Sequence, residues 1–127
     1  MGKNRGDDSS REKLKEYNQE INVKPGEYAV FEMCANDIRA LHIMRITGIA
    51  NAPYCVYGDP YVEVRSVNGK PLKSHVQSGT EIKFHYNHGE LKKHGSRERI
   101  KKYLEGYAGK NKDMNLAFLL RQFTEFF

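Results

Sequence analysis

The sequence predicts an α+β fold: a small, mostly antiparallel sheet packed by an N-terminal helix and two C-terminal helices. Three observations carry that expectation. Segments rich in aromatic and β-branched residues, partly in strict alternation, occupy the middle of the chain. Apolar residues recur at helical spacing near both ends. Turn signals such as Asn68-Gly69 punctuate the segments between.

Residues 1–8 are polar and aperiodic and are expected to be disordered, leaving 9–127 as a single α+β domain. Ser9 followed by Glu12 is a capping-box pattern, and Leu14, Tyr17 and Ile21 give the first helix a thin apolar stripe. Lys24–Gly26 stops it. Glu27–Met33 reads as a strand. For the segment NDIRALHIMRITG the expectation is a helix, capped by Asn36 or Asp37 and ended by Gly48, with Ala40, Leu41, Ile43 and Met44 facing inward. The competing strand reading rests on its three isoleucines.

Pro60–Val67 alternates and reads as a strand, and Pro71 makes any strand returning from Asn68-Gly69 short or an edge. Thr80–Tyr86 alternates too, with Ile82, Phe84 and Tyr86 inward. HGELKKHGS is expected to be a loop. Ile100, Tyr103, Leu104 and Tyr107 stand at i, i+3, i+4 and i+7 on the next helix. Gly109 reads as its C-cap and Asp113 as the N-cap of the last helix. That helix carries Leu116, Leu119, Leu120, Phe123 and Phe127 on one face, buried on the sheet or joined to a second copy as a homodimer.

At 127 residues and 39% apolar content the chain is long enough to bury one core. A net charge of +5 points to acidic partners: nucleic acid, an anionic membrane surface or an acidic protein. Two cysteines, Cys34 and Cys55, no Asn-x-Ser/Thr site and no secretory pattern suggest a reducing, cytoplasmic setting. No apolar run reaches the roughly 18 residues of a membrane span. No P-loop, nucleophile elbow or dinucleotide fingerprint occurs, and no cofactor is expected.

The basic stretch from Phe84 to Tyr103 carries what chemistry the sequence offers. His85, His88 and His94 have a spacing that includes a zinc-like pair, yet no Cys-x-x-Cys accompanies them, so no metal site is assigned. His85, Glu90, His94 and Arg97 supply the residue types of a small metal-independent ribonuclease, the third reading. The leading reading is a non-catalytic, sequence-tolerant nucleic-acid-binding protein for RNA or single-stranded DNA. Between Lys92 and Lys112 stand Lys92, Lys93, Arg97, Arg99, Lys101, Lys102, Lys110 and Lys112 against only Glu98 and Glu105. That excess exceeds the charge of the whole chain, so the remainder is near neutral. The helix start at Ser96–Arg97 adds free amides, and Tyr86 adds a stacking face. The alternative is a protein-interaction module, an inhibitor or adaptor assembling through the C-terminal helix.

Two local resemblances accompany these readings. Leu41–Val76, with Asp59, Pro60, Tyr61 and Val62, resembles the first strands of a C2 domain. That resemblance implies a strand at Leu41–Ile49 and, in that family, calcium-dependent lipid binding. No acidic residue accompanies Asp59 between Asn51 and Gly58, where a calcium loop of that family carries another. Val67–Phe84 is similar to the strand–turn–strand ending of S4-type RNA-binding and forkhead-associated domains, with Thr80 where those carry Asp.

Overall fold

The computed structural model describes residues 23–51, 54–68, 70–110 and 116–127. The expected first helix (Ser9–Ile21), the disorder expected of residues 1–8, Lys112 and Asp113 lie outside them. Among these residues seven strands form one antiparallel sheet: β1 (Tyr28–Ala35), β2 (Ile38–Asn51), β3 (Tyr54–Val67), β4 (Lys70–Pro71), β5 (His75–Gln77), β6 (Ile82–His85) and β7 (Glu90–Gly95). A 3₁₀ turn at Tyr86–His88 joins β6 to β7. Helices α1 (Arg97–Lys110) and α2 (Leu116–Phe126) follow. The order is β4-β3-β2-β1-β7, with β5 and β6 also paired to β3.

This corrects the expected fold class. The molecule is mostly sheet, and among the described residues there are two helices, both after the last strand. Two misread segments account for the difference. Ile38–Asn51 is a strand, not a helix, because both sheet faces are covered at its centre. Leu41 and Ile43 enter one core cluster, while Met44 and Ile46 enter the other. Consecutive apolar residues then imitate helical spacing. Asn36, with φ 56, and Asp37 are the hairpin turn between Ala35 and Ile38, not a helix cap. The expected loop HGELKKHGS contains β7, an edge strand beside β1. α1 also runs on through Gly109 to Lys110, so Gly109 is not its cap.

The sheet separates two cores. On one face Val30, Leu41, Ile43, Val62 and Val64 meet Ile100, Leu104 and Tyr107 of α1 and Phe123 of α2. On the other, Ala29, Phe31, Met44, Ile46, Val56 and Phe84 pack together with Val23. Burying an Ile100- or Leu104-sized side chain contributes about 1.5–3 kcal/mol, which fixes α1 on its face. β3 bends where Ile46↔Gly58 gives way to Met44↔Tyr61, and Asp59-Pro60 in the bend is cis. Its first half can thus pair with β6 and its second with β5 and β4.

Asp59, the residue behind the C2 resemblance, uses its carboxylate within the fold. Its Oδ1 accepts the Gly79 amide at 2.9 Å, tying the β5–β6 turn to β3, and its carbonyl accepts Arg45 Nε at 3.1 Å. Cys34 is exposed, Cys55 is buried, and neither forms a disulfide. Among the described residues no helix is long and apolar enough to cross a membrane.

Candidate nucleic-acid interface

The basic stretch folds as edge strand, tight turn and helix. In β7, Leu91 pairs with Phe31 and Lys93 with Val30, so Lys92 is the extra residue of a bulge. Gly95 makes the turn at φ 141. A Cβ there would stand 2.6 Å from Arg99 Cδ, so only glycine both adopts the backbone and lets the Arg99 stem lie across the strand end. Ser96 caps α1: its Oγ accepts the Arg99 amide at 3.1 Å and its carbonyl accepts the Ile100 amide at 3.1 Å. The amides of Arg97 and Glu98 have no partner within the helix, and the positive end of its dipole lies there.

Beside this junction lies a groove of about 530 Å³ lined by Lys93, Ser96, Glu98, Arg99, Lys102 and Tyr103. A smaller hollow of about 200 Å³ shares Lys93 and Arg99 and is closed by Leu91, Lys92 and His94. Glu98 is the acid in the groove wall, and its carboxylate lies 3.7 Å from Arg97 Nη1. Lys93, Arg99 and Lys102 form no ion pair with any carboxylate among the described residues.

The other expected contacts do not join them. Lys92 Nζ lies 3.0 Å from Glu90 Oε1 and 3.7 Å from Glu32 Oε1. The Glu90 hydrogen bond, reinforced by both carboxylates against the cost of burial, raises its pKa. Arg97 is held by the chain's end: Nε donates to the Phe127 carbonyl at 2.8 Å and its guanidinium lies 5.1 Å from the Phe123 ring centre. At roughly 100° per residue, Lys101 projects from the flank of α1 opposite Arg99. Lys110 is exposed on the Arg99 side of the helix, about 16 Å further along. Tyr86 opens the 3₁₀ turn, but its side chain and all of Lys112 lie outside the described part.

The ribonuclease set is dispersed as well. His94 Nδ1 is 2.9 Å from Glu27 Oε1. Burial pushes the Glu27 carboxyl up, but the His94 hydrogen bond, the Lys24 amide and both positive charges outweigh it and hold it below its ordinary value. Arg97 is engaged at the C-terminus as described. His85 and His88 meet edge-on at 5.5 Å between ring centres. Among the described residues no three His, Cys, Asp or Glu side chains are grouped to hold a metal ion. On α2, Phe123 is fully buried in the chain's own core, and Leu120, Phe126 and Phe127 pack against it. Phe123 is therefore unavailable to a second copy, and the side chains of Leu116 and Leu119 are outside the description.

Sequence reasoning places Ser96 at the helix start and Tyr103 on the apolar stripe, without bringing either into the contact set; Tyr103 is packed partly on the core while its remainder walls the groove. Sequence reasoning missed a cavity of about 630 Å³ on the sheet face turned from the helices, reached by His42, Tyr61 and Glu63. Reading β2 as a strand would have flagged His42, which shares the inward parity of Met44 and Ile46.

Below Glu32, the Tyr107 hydroxyl donates to Oε2, and Arg39 Nη1 lies 3.2 Å from both. Burial and the Glu32 bond raise the Tyr107 pKa. This cluster clamps the C-terminal turn of α1 onto β1 and β2, at the end of the helix away from the groove.

Comparison with known proteins finds no matching family model, no matching curated protein and no matching solved structure.

Proposed function

We propose that the protein binds the sugar–phosphate backbone of a single-stranded nucleic acid, without catalysis and without sequence preference. One observation supports this reading: Lys93, Arg99 and Lys102 line a single groove at a helix N-terminus, and none of them forms an ion pair with a carboxylate among the described residues. Paired cations would have to break their partners first, which is why Lys92 and Arg97 are left out of the contact set. Tyr103 offers part of a ring to an unpaired base.

The bland reading is edge protection by Lys93, since lysines on an exposed edge strand deter pairing with other chains, with Arg99 and Lys102 on a solvated helix face. Salt dependence distinguishes the two. Three phosphate contacts on a single strand give a slope of log K against log salt of about −2, whereas eight give about −6. Fluorescence anisotropy with labelled RNA and DNA single strands is expected to give the shallower slope. Lys93→Glu with Lys102→Glu abolishes binding at low salt, while Lys101→Glu leaves it nearly intact. Absence of binding at low salt, or equal loss in all three variants, rejects the groove. An acidic protein recovered with the chain after nuclease treatment, in the absence of strand binding, would favour the interaction-module reading.

A further inference from the structure

The cavity on the helix-free face shares no lining residue with the basic groove. Its wall is a series of rings in successive contact. His75 meets Tyr61 edge-on at 6.4 Å, Tyr61 stacks on His42 at 6.0 Å, His42 meets Phe84 at 4.8 Å, and Phe84 meets His88 edge-on at 6.0 Å. Flat π-faces on this scale favour a planar, aromatic guest. A volume of about 630 Å³ falls within the span of ordinary small-molecule sites.

Polar groups around the rings narrow the guest further. Glu63 is the cross-strand partner of His42, and its side chain is partly buried. Arg65 Nε approaches one of its carboxylate oxygens at 3.8 Å. Asn87, on the 3₁₀ turn, contributes an amide with both a donor and an acceptor. Lys83 contributes a cation without an ion-pair partner among the described residues.

His42 is the anomaly. It is 7% exposed in a position whose strand neighbours are apolar, and its Nδ1 lies 2.8 Å from the Tyr61 hydroxyl. An aliphatic side chain would serve the fold at lower desolvation cost. Burial depresses the His42 pKa, with Glu63 opposing and His88 and Arg65 adding to the shift. The imidazole is therefore neutral at pH 7.

We propose that this cavity is a nucleotide site, taking a guanine nucleoside monophosphate with its base against the rings, Glu63 and Asn87 at the base edge, and the phosphate towards Lys83. A carboxylate suits guanine because that base presents two adjacent N–H donors, and the Asn87 amide supplies the donor that its carbonyl needs. Adenine and cytosine present one amino group beside an acceptor, and uracil a lone N–H between two acceptors. A lipid chain would leave Glu63, Asn87 and Lys83 unused, and a free phosphate would leave the rings unused.

The test is a titration of the full chain followed by ring and amide NMR resonances, using GMP, AMP, CMP, UMP, guanosine and inorganic phosphate. GMP is expected to shift Phe84, Asn87 and His88 at the lowest concentration, guanosine to bind more weakly at the same residues, and phosphate to do nothing. Glu63→Gln weakens GMP by about tenfold and Lys83→Ala brings GMP down to the guanosine level. Lys93→Glu with Lys102→Glu leaves all of this unchanged, so failure of the groove and failure of the cavity are read separately. Absence of shifts with any of the four nucleotides at ~5 mM overturns the proposal, since affinity weaker than millimolar is under about 4 kcal/mol. So do an equal response to all four and an unchanged GMP affinity in Glu63→Gln.

Discussion

Gly58 and Gly106 show how much one missing methyl decides. A Cβ at Gly58 would stand 2.8 Å from both Cβ and Sδ of Met44, which is fully buried. Gly58→Ala must displace that side chain within a packed core and is expected to cost about 1–3 kcal/mol. Gly106, on the exposed side of α1, has nothing within 4 Å of its added methyl. Gly106→Ala is expected to stabilise by about 0.5–1 kcal/mol through helix propensity alone. Urea unfolding of the two variants beside the parent checks both signs. His42 adds a pH dependence of known direction. Its folded pKa lies below the ordinary value of 6.5, so on acidification the unfolded chain takes up the proton first. The stability it contributes is complete above about 6.5 and declines as pH falls towards the depressed value. Glu27, also depressed, has the same sign in a lower window, beginning near its ordinary 4.5. A pH series of urea midpoints should show the upper decline in the parent and lose it in His42→Leu, with the lower one retained.

Among the elements, the β7–α1 junction joins stability to the proposed strand binding. Ser96→Ala removes the cap and is expected to cost about 1 kcal/mol. Ser96→Asp preserves a capping oxygen but puts a negative charge in the groove, so thermal stability holds while strand binding falls. Circular-dichroism melts and anisotropy on the two variants separate these effects. The sequence revealed such elements unevenly, for physical reasons. β6 was legible because buried and exposed residues alternate along it: Phe84 is buried and Lys83 is exposed. The stripe of α1 was legible because Ile100, Leu104 and Tyr107 all turn to one core. β2 was not, because a strand covered on both sides has no polar phase by which to recognise its period. β7 was not, because an edge strand of lysines and histidine has the composition of a loop, and its pairing to β1 is invisible locally.

At the scale of the whole molecule, the groove and the cavity are less legible than the individual strands and helices. Charge density marks a basic segment, but not which of its members lack an ion-pair partner among the described residues. Lys92 meets Glu32, a residue sixty positions earlier, and Arg97 meets Phe127 thirty positions later. The ring-lined cavity draws on β1, β2, β3, β5, β6 and the 3₁₀ turn, so no window of sequence contains it. The groove and the cavity both depend on the sheet that separates them, one beside its helix-covered face and the other on the opposite face.

β3 borders β2 along nearly its whole length and carries β4, β5 and β6 on its other side. Its side chains alternate between the two hydrophobic clusters, Val62 and Val64 below, Val56 and Tyr61 above. A beam gripped from four quarters has no loose end from which to peel. The centre of this strand therefore opens to solvent only when everything else does, and neither half of the molecule can melt and leave the other standing.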